Sequence, residues 1–342
     1  MKDICIIGIY FGNVPPNFKL WLKSCEYNSD IDFIVVGDFL YEKFPDNVKY
    51  INMTMSQFML LAEKELNCKI YKERSYKLCD LKPVYGYILK KYIQGYSYWG
   101  HCDFDLIFGD LNKFLIKYNL TKYDKFLPLG HLCFYKNDNS NKYLEDTLTE
   151  MNAIEIFNSK YNCLFDEIGI NKIYKKYNFF DEIIFADINP AYRKFLEVEY
   201  LSYYPEIYTR YKTKVKKINY KYQVFYYDNG HVYKGFVNDK GIVEAREYMY
   251  IHMQKRKERE DNIYIDKENL NYFIIDKKII EKNNGIPSID IIKQLTPSNS
   301  SVYIDKIFYL ANKIKRYINK KIKKVNYDNI IIPKDVRYES KR

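Results

Sequence analysis

The amino-acid sequence predicts an α/β fold: a mostly parallel central sheet flanked by helices, with a small β-hairpin addition and a C-terminal basic amphipathic helix. Three observations predict it. Apolar runs of strand length at Ile4–Tyr10, Ile31–Val36 and Tyr98–Cys102 alternate with segments of helical period at Phe18–Cys25, Ser56–Leu66 and Lys82–Ile93. Strands covered by helices on both faces read as unbroken apolar runs of this kind. Beyond about residue 215 the texture changes to two apolar-rich runs joined by Asp228-Asn229-Gly230, the signature of a tight hairpin turn. In the tail, Ile304, Ile307, Ala311, Ile314, Ile318 and Ile322 recur at helical spacing, with lysines on the other faces.

Each element has a local reason. The first run is followed by Phe11-Gly12-Asn13 and Pro15-Pro16, a turn that leaves Asn17 to cap the next helix. The second run ends in Gly37-Asp38, so the opening reads β-α-β. Pro83 suits the first turn of a helix over Lys82–Ile93, where its missing N–H is not needed. Leu111–Tyr118 reads as a helix, Lys125–Tyr135 as strand, Asp166–Tyr177 as a helix, and Glu247–Met253 as one more strand. Lys255–Asp261 is almost wholly charged and reads as a solvated segment, and Gly285-Ile286-Pro287 marks a loop before the tail. We expect a catalytic domain over residues 1–257 and an extension over 258–342.

Composition narrows the class. At 47% hydrophobic and 29% charged residues the chain is globular, which excludes wholesale disorder. From Ser298 to the end, twelve Lys or Arg face four Asp or Glu, so +8 of the net +11 sits in the tail. A uniformly basic nucleic-acid binder is therefore a poor description, and no nucleic-acid partner is expected. The basic helix over 301–325 reads either as a terminal helix packed on the domain or as an interfacial helix drawn to anionic lipid. Seven cysteines, none in a C-x-x-C pair, fit a reducing cytosol. No apolar run approaches the ~20 residues that span a bilayer, and we expect a cytoplasmic protein, soluble or peripheral at the inner membrane face.

The stretch Trp99-Gly100-His101-Cys102-Asp103-Phe104-Asp105 carries the chemistry. Two carboxylates at i and i+2 just beyond a buried strand can converge where a sheet opens to solvent. Hard oxygen ligands placed there suit Mg²⁺ or Mn²⁺, with water and a diphosphate completing the shell. Such a cation would offset the charge of a nucleotide leaving group. The bland alternative for the spacing is a turn with two solvated aspartates.

The patterns YKLCDLKPVYG at Tyr76–Gly86 and WGHCDFDLIFGD at Trp99–Asp110, with GHLCFYKN at Gly130, LFDEIGIN at Leu164 and YIHMQKR at Tyr250, resemble a family of bacterial glycosyltransferase-like proteins from capsule and cell-surface polysaccharide loci. The resemblance spans roughly the first three quarters of the chain and leaves out the tail after about Glu258. It implies a GT-A fold with a nucleotide sugar, most simply UDP-linked, held at the C-terminal ends of the strands. It also implies a cation on the D-x-D aspartates, Asp103 and Asp105.

Carried onto this chain, Tyr10, Phe11 and Gly12 would face the nucleotide base, and Asp38 would accept from base or ribose or simply end a turn. Lys77, Asp80 and Lys82 would meet the phosphates or donor sugar; the alternative is a helix cap with two solvated lysines. His252 would be a third metal ligand, and Lys255 with Arg256 would complete a diphosphate clamp. His101 is expected to point into the sheet, and His131 is a candidate sugar contact. Asp166 and Glu167 are the candidate catalytic carboxylates, as general base if the reaction inverts or as donor-sugar ligands if it retains, with Asp181-Glu182 a weaker competitor. The expected function is metal-dependent transfer of a sugar from a nucleotide donor to a bacterial surface glycan. A silent glycan- or membrane-binding protein and a nucleotidyltransferase are the alternatives; the latter lacks a glycine-rich phosphate loop.

Overall fold

The structure, a computed structural model, describes residues 2–15, 17–137, 142–149, 152–161, 163–180, 186–187, 198–200, 215–217, 220–253, 263–264, 271–275 and 278–296. The charged segment Lys255–Asp261, the pair Asp181-Glu182 and the basic helix expected over 301–325 lie outside the described residues.

Among the described residues seven strands form the main sheet: β1 (Ile4–Ile9), β2 (Asp32–Gly37), β3 (Val48–Asn52), β4 (Tyr98–Cys102), β6 (Lys125–Phe126), β7 (Leu132–Lys136) and β8 (Phe179–Phe180), with β5 (Leu106–Phe108) set apart in another sheet. The order is β3-β2-β1-β4-β7-β6-β8. The first four are mutually parallel, while β7 runs antiparallel to β4 and to β6. The chain builds outward from β1 to β3 and then returns to lay β4 on the other flank of β1. That reversal puts a topological switch point at the carboxyl ends of β1 and β4, the usual ligand position in open α/β sheets.

Strand alternation divides the core. Ile4, Ile6, Phe33 and Val35 face α1 (Phe18–Tyr27) through Phe18, Trp21 and Leu22. Cys5, Ile7, Ile34 and Val36 face α2 (Met55–Leu66) through Phe58, Met59 and Ala62. Thr54 caps α2 in a reciprocal box with Gln57. The cap expected at Asn17 does not form: the residue is left-handed, φ 65°, and its side chain makes no capping bond.

Three further expectations are revised by local geometry. After α3 (Lys77–Leu81), the helix expected over Lys82–Ile93 is broken into a 3₁₀ turn at Lys82–Val84, α4 (Tyr85–Ile88) and a second 3₁₀ turn at Lys90–Tyr92. Pro83 removes a ladder donor there, and Gly86 lies against the Trp99 indole so closely that a Cβ would come within 2.3 Å of it. Lys125–Tyr135 is two strands rather than one, turning at Leu127 with φ 65°. The segment from Phe165 opens as a π turn through Gly169 and only then becomes a regular helix, as described with the site below.

α5 (Leu111–Lys117), α6 (Lys142–Thr149), α7 (Ala153–Asn158) and α8 (Ile170–Tyr174) complete the helical cover of this part. After β9 (Ala186–Asp187), β10 (Val198–Tyr200) and β11 (Val215–Lys217), the hairpin forms as expected. β12 (Gln223–Asp228) and β13 (His231–Val237) are joined by Asn229 and Gly230, both at positive φ. The strand expected over Glu247–Met253 is two: β14 (Val243–Tyr248) pairs with β13, whereas β15 (Tyr250–His252) leaves that sheet to pair with β5 and β9. β16 (Ile263–Tyr264), β17 (Tyr272–Ile275) and β18 (Lys278–Glu281) extend the hairpin sheet, order β14-β13-β12-β17-β18-β16, and α9 (Ile289–Leu295) buries Ile292 in its core. The division expected at 257/258 thus runs through one hydrogen-bonded sheet, since β17 from beyond it pairs with β12. Leu20 of α1 and Ile107 of β5 share that sheet's apolar cluster, which joins the two halves.

Candidate functional site

The carboxyl ends of β1, β2 and β4 bring the expected residues to one edge. After β1, Tyr10 packs edge-on against Phe39 and Phe104, and Phe11 lies on Phe58, both half-buried. The Gly12 amide donates to Asp38 Oδ1 at 2.6 Å, which ties the first turn to the second. Gly12 has φ 100°, a left-handed conformation open to glycine. Asp38 is otherwise exposed.

Phe104 decides where the paired aspartates go. Its ring is buried against Trp21 and Phe18, directly over Gly8, where a Cβ would lie 2.6 Å from the ring. With residue 104 locked into the core, residues 103 and 105 are turned toward the cleft. The Asp103 amide donates to the His131 carbonyl at 2.9 Å, and the Met253 amide donates to the Asp105 carbonyl at 2.8 Å. Pairing of β15 with β5 sets His252 opposite Leu106, so its ring comes beside Asp105. His252 Nε2 is 3.6 Å from Asp105 Oδ1, an oxygen that is buried and accepts no hydrogen bond. Burial pushes the Asp105 carboxyl up to about 6, against the opposing pull of His252.

Lys82 is the hub of the other half. Its ammonium donates to the Gly130 carbonyl at 2.9 Å, pairs with Asp103 Oδ1 at 2.6 Å, and lies 3.6 Å from Asp166 Oδ2. Burial works against this charge, yet Asp103 and Asp166 outweigh it and hold Lys82 well above its ordinary value. Asp166 is buried in the π turn Phe165–Gly169 ahead of α8, and burial raises its carboxyl well above the usual range despite Lys82. Glu167, half-buried, accepts from the Gly130 amide at 3.4 Å. A Cβ on residue 130 would lie 2.3 Å from Asp166, so only glycine admits this carboxylate.

Two expected donor contacts are structural. Lys77 and Asp80 are buried and paired at 2.8 Å. Lys77 also donates to the carbonyls of Ile156 and Tyr161, while Asp80 accepts from the amides of Cys163 and Phe165. They staple the segment leading into Asp166 rather than reach a ligand. His131 is buried beneath His252, rings 3.9 Å apart and nearly parallel, and its Nε2 is 3.0 Å from the Tyr250 hydroxyl. It supports the His252 ring and is not an open sugar contact. His101 is buried in the sheet as expected, with burial pushing its imidazole well below the ordinary value. Lys255 and Arg256 lie outside the described residues. Sequence reasoning missed Gly130 and Tyr250 as site builders; a glycine ahead of His131 and a tyrosine two positions before His252 were the available signals.

Among the described residues no group of three His, Cys, Asp or Glu side chains is assembled around one point for an ion. The donor chemistry fits a cation at one place, where the orphaned Asp105 oxygen faces an imidazole nitrogen across a gap. Asp103 stands beside them with its Oδ1 engaged by Lys82.

Fold and site together define a mixed α/β protein with a carboxylate, lysine and histidine cluster at the switch point of a mostly parallel sheet. The chain belongs to a family of unknown function, DUF6625, whose model matches residues 6–283. No curated protein matches it. Among solved structures it is similar to the galactosyltransferase LgtC in complex with donor and acceptor sugar analogs, at 11% identity and a TM-score of 0.31 over 54% of this chain and 76% of that one. An active-site mutant of LgtC matches at the same identity and TM-score, over 54% of this chain and 75% of that one. A likeness of this size carries no argument about activity. Among the described residues no helix is long and apolar enough to cross a membrane.

Proposed function

We propose that this chain is a metal-dependent glycosyltransferase of GT-A type, moving a sugar from a nucleotide donor, most simply UDP-linked, onto a bacterial surface glycan such as capsule or lipooligosaccharide. The observation that supports this reading is the convergence at the β1/β4 switch point of Asp103, Asp105, Lys82, Asp166 and His252. Opposite charges are gathered there beside a turn whose backbone is open to a ligand.

In this reading Tyr10 and Phe11 offer ring surface to the base, and the Gly12–Asp38 turn lets backbone and carboxylate meet the ribose. Lys82 meets the diphosphate or the donor sugar with its positive charge. Asp105 and His252, with Asp103 beside them, would hold Mn²⁺ or Mg²⁺, which supplies Lewis-acid charge for the leaving diphosphate. Asp166 accepts the acceptor hydroxyl's proton if the reaction inverts, or binds the donor sugar if it retains. Glu167 fixes the Gly130 loop beneath it. We place the enzyme in the cytoplasm. A lipid-linked acceptor would bring it to the inner membrane face, where the basic tail over 301–325 would meet anionic lipid.

The test is donor hydrolysis and transfer with Mn²⁺ in wild type, Asp103→Ala and Asp105→Ala. Losses on the order of 10²-fold in each variant are expected; unchanged turnover in both would remove the carboxylate pair from the chemistry.

A further inference from the structure

The proposed cation site and Lys82 compete for one carboxylate. Asp103 Oδ1 is 2.6 Å from the Lys82 ammonium, while the buried Asp105 oxygen beside His252 accepts no hydrogen bond. One carboxylate oxygen of the donor set thus accepts no hydrogen bond, while an oxygen of the other carboxylate is already neutralised. Lys82 is buried, held by the Gly130 carbonyl at 2.9 Å, with the Asp166 carboxyl at 3.6 Å. A divalent cation drawn onto Asp103 would face that ammonium across the same carboxylate, and like charges at such a distance repel strongly in a site with little water. The Gly130 carbonyl and Asp166 remain as partners for Lys82 once it is released, so leaving Asp103 does not strand a buried charge.

We propose that Lys82 is an internal counter-ion that occupies Asp103 in the ligand-free protein and yields it to the cation only when an anionic donor group draws the lysine away. The inference rests on the glycosyltransferase reading above and adds an order to it. The free protein binds a divalent cation weakly, and a nucleoside diphosphate and the cation bind cooperatively. Lys82 thus has two positions in the cycle, on Asp103 before binding and on the donor's anion after it. This ties exposure of the metal carboxylate to the presence of donor and disfavours a cation-loaded, donor-free enzyme.

The experiment is calorimetric titration of the full chain with Mn²⁺ alone and with UDP present, corrected for Mn²⁺ binding by UDP in buffer. It compares wild type, Lys82→Met and Asp105→Asn, with thermal melts as the folding control. Lys82→Met is expected to bind Mn²⁺ alone about tenfold or more tightly than wild type, and the gain conferred by UDP is expected to shrink in that variant. Lys82→Gln, which keeps a polar group for the Gly130 carbonyl, gives the same comparison if the methionine variant does not fold. Equal Mn²⁺ affinity in wild type and both Lys82 variants, with Asp105→Asn weakening all binding, overturns the counter-ion role and leaves the metal site standing. Absence of Mn²⁺ binding in every protein, with or without UDP, overturns the counter-ion role together with the metal reading.

Discussion

At the scale of single residues, the site depends on side chains that fit only one way. Gly130 lies under Asp166, and Gly130→Ala would push that carboxylate off Lys82. A displacement of this size at a reacting centre costs on the order of 10²-fold, so a transfer assay is expected to show a deep loss while circular dichroism stays near wild type. The Lys77–Asp80 pair makes a different prediction, because it is fully buried and serves the backbone. Asp80→Asn leaves the Lys77 charge uncompensated and is expected to cost roughly 3–5 kcal/mol, measured by urea unfolding, with Lys77→Met/Asp80→Asn recovering part of the loss. The roles of these residues were unequally legible in the sequence. Asp103 and Asp105 stand out in the sequence because a strand end and an i, i+2 spacing are local features. The true work of Lys77 and Asp80 was hidden because their partners, Ile156, Tyr161, Cys163 and Phe165, lie about eighty residues away.

At the scale of elements, pattern and geometry agree where a local rule is enough. β4 was read residue for residue, and the Asn229-Gly230 hairpin follows from turn chemistry alone. β3 was missed because Val48–Asn52 is short and has only two buried residues, Val48 and Ile51. The division of Glu247–Met253 into β14 and β15 was invisible because it depends on which sheet each half joins. That division matters, since β15 is what brings His252 to Asp105. Capping supplies a simple control on α2: Thr54→Ala is expected to lower stability by about 1 kcal/mol with no effect on donor binding. The hairpin sheet also carries a pH signature in β13. Lys234 is buried against the stacked Tyr220 and Phe236 rings, and burial, helped by Arg246, pushes its ammonium down to about 7. The unfolded chain holds that proton up to about 10.4, so between these values it binds more protons than the folded one and this residue's contribution to stability rises with pH. Lys234→Met is therefore expected to raise the melting temperature most at pH 7 and below, with a gain that shrinks toward pH 10. An equal gain at both pH values would show that Lys234 keeps its proton in the folded protein.

At the scale of the whole molecule, the main sheet provides the switch point and the small β5-β15-β9 sheet brings His252 beside it. Composition changes along the chain near residue 257, whereas strand pairing returns across that point, β17 to β12. The central claim is that a nucleotide sugar and a divalent cation meet at the β1/β4 switch point. Its most direct test is a calorimetric screen of nucleotide sugars against the full chain with Mn²⁺, repeated on the Asp103→Ala/Asp105→Ala double variant. The account predicts saturable binding of one donor that depends on Mn²⁺ and disappears in the variant. Binding of no nucleotide sugar, or equal binding by wild type and variant, would contradict it.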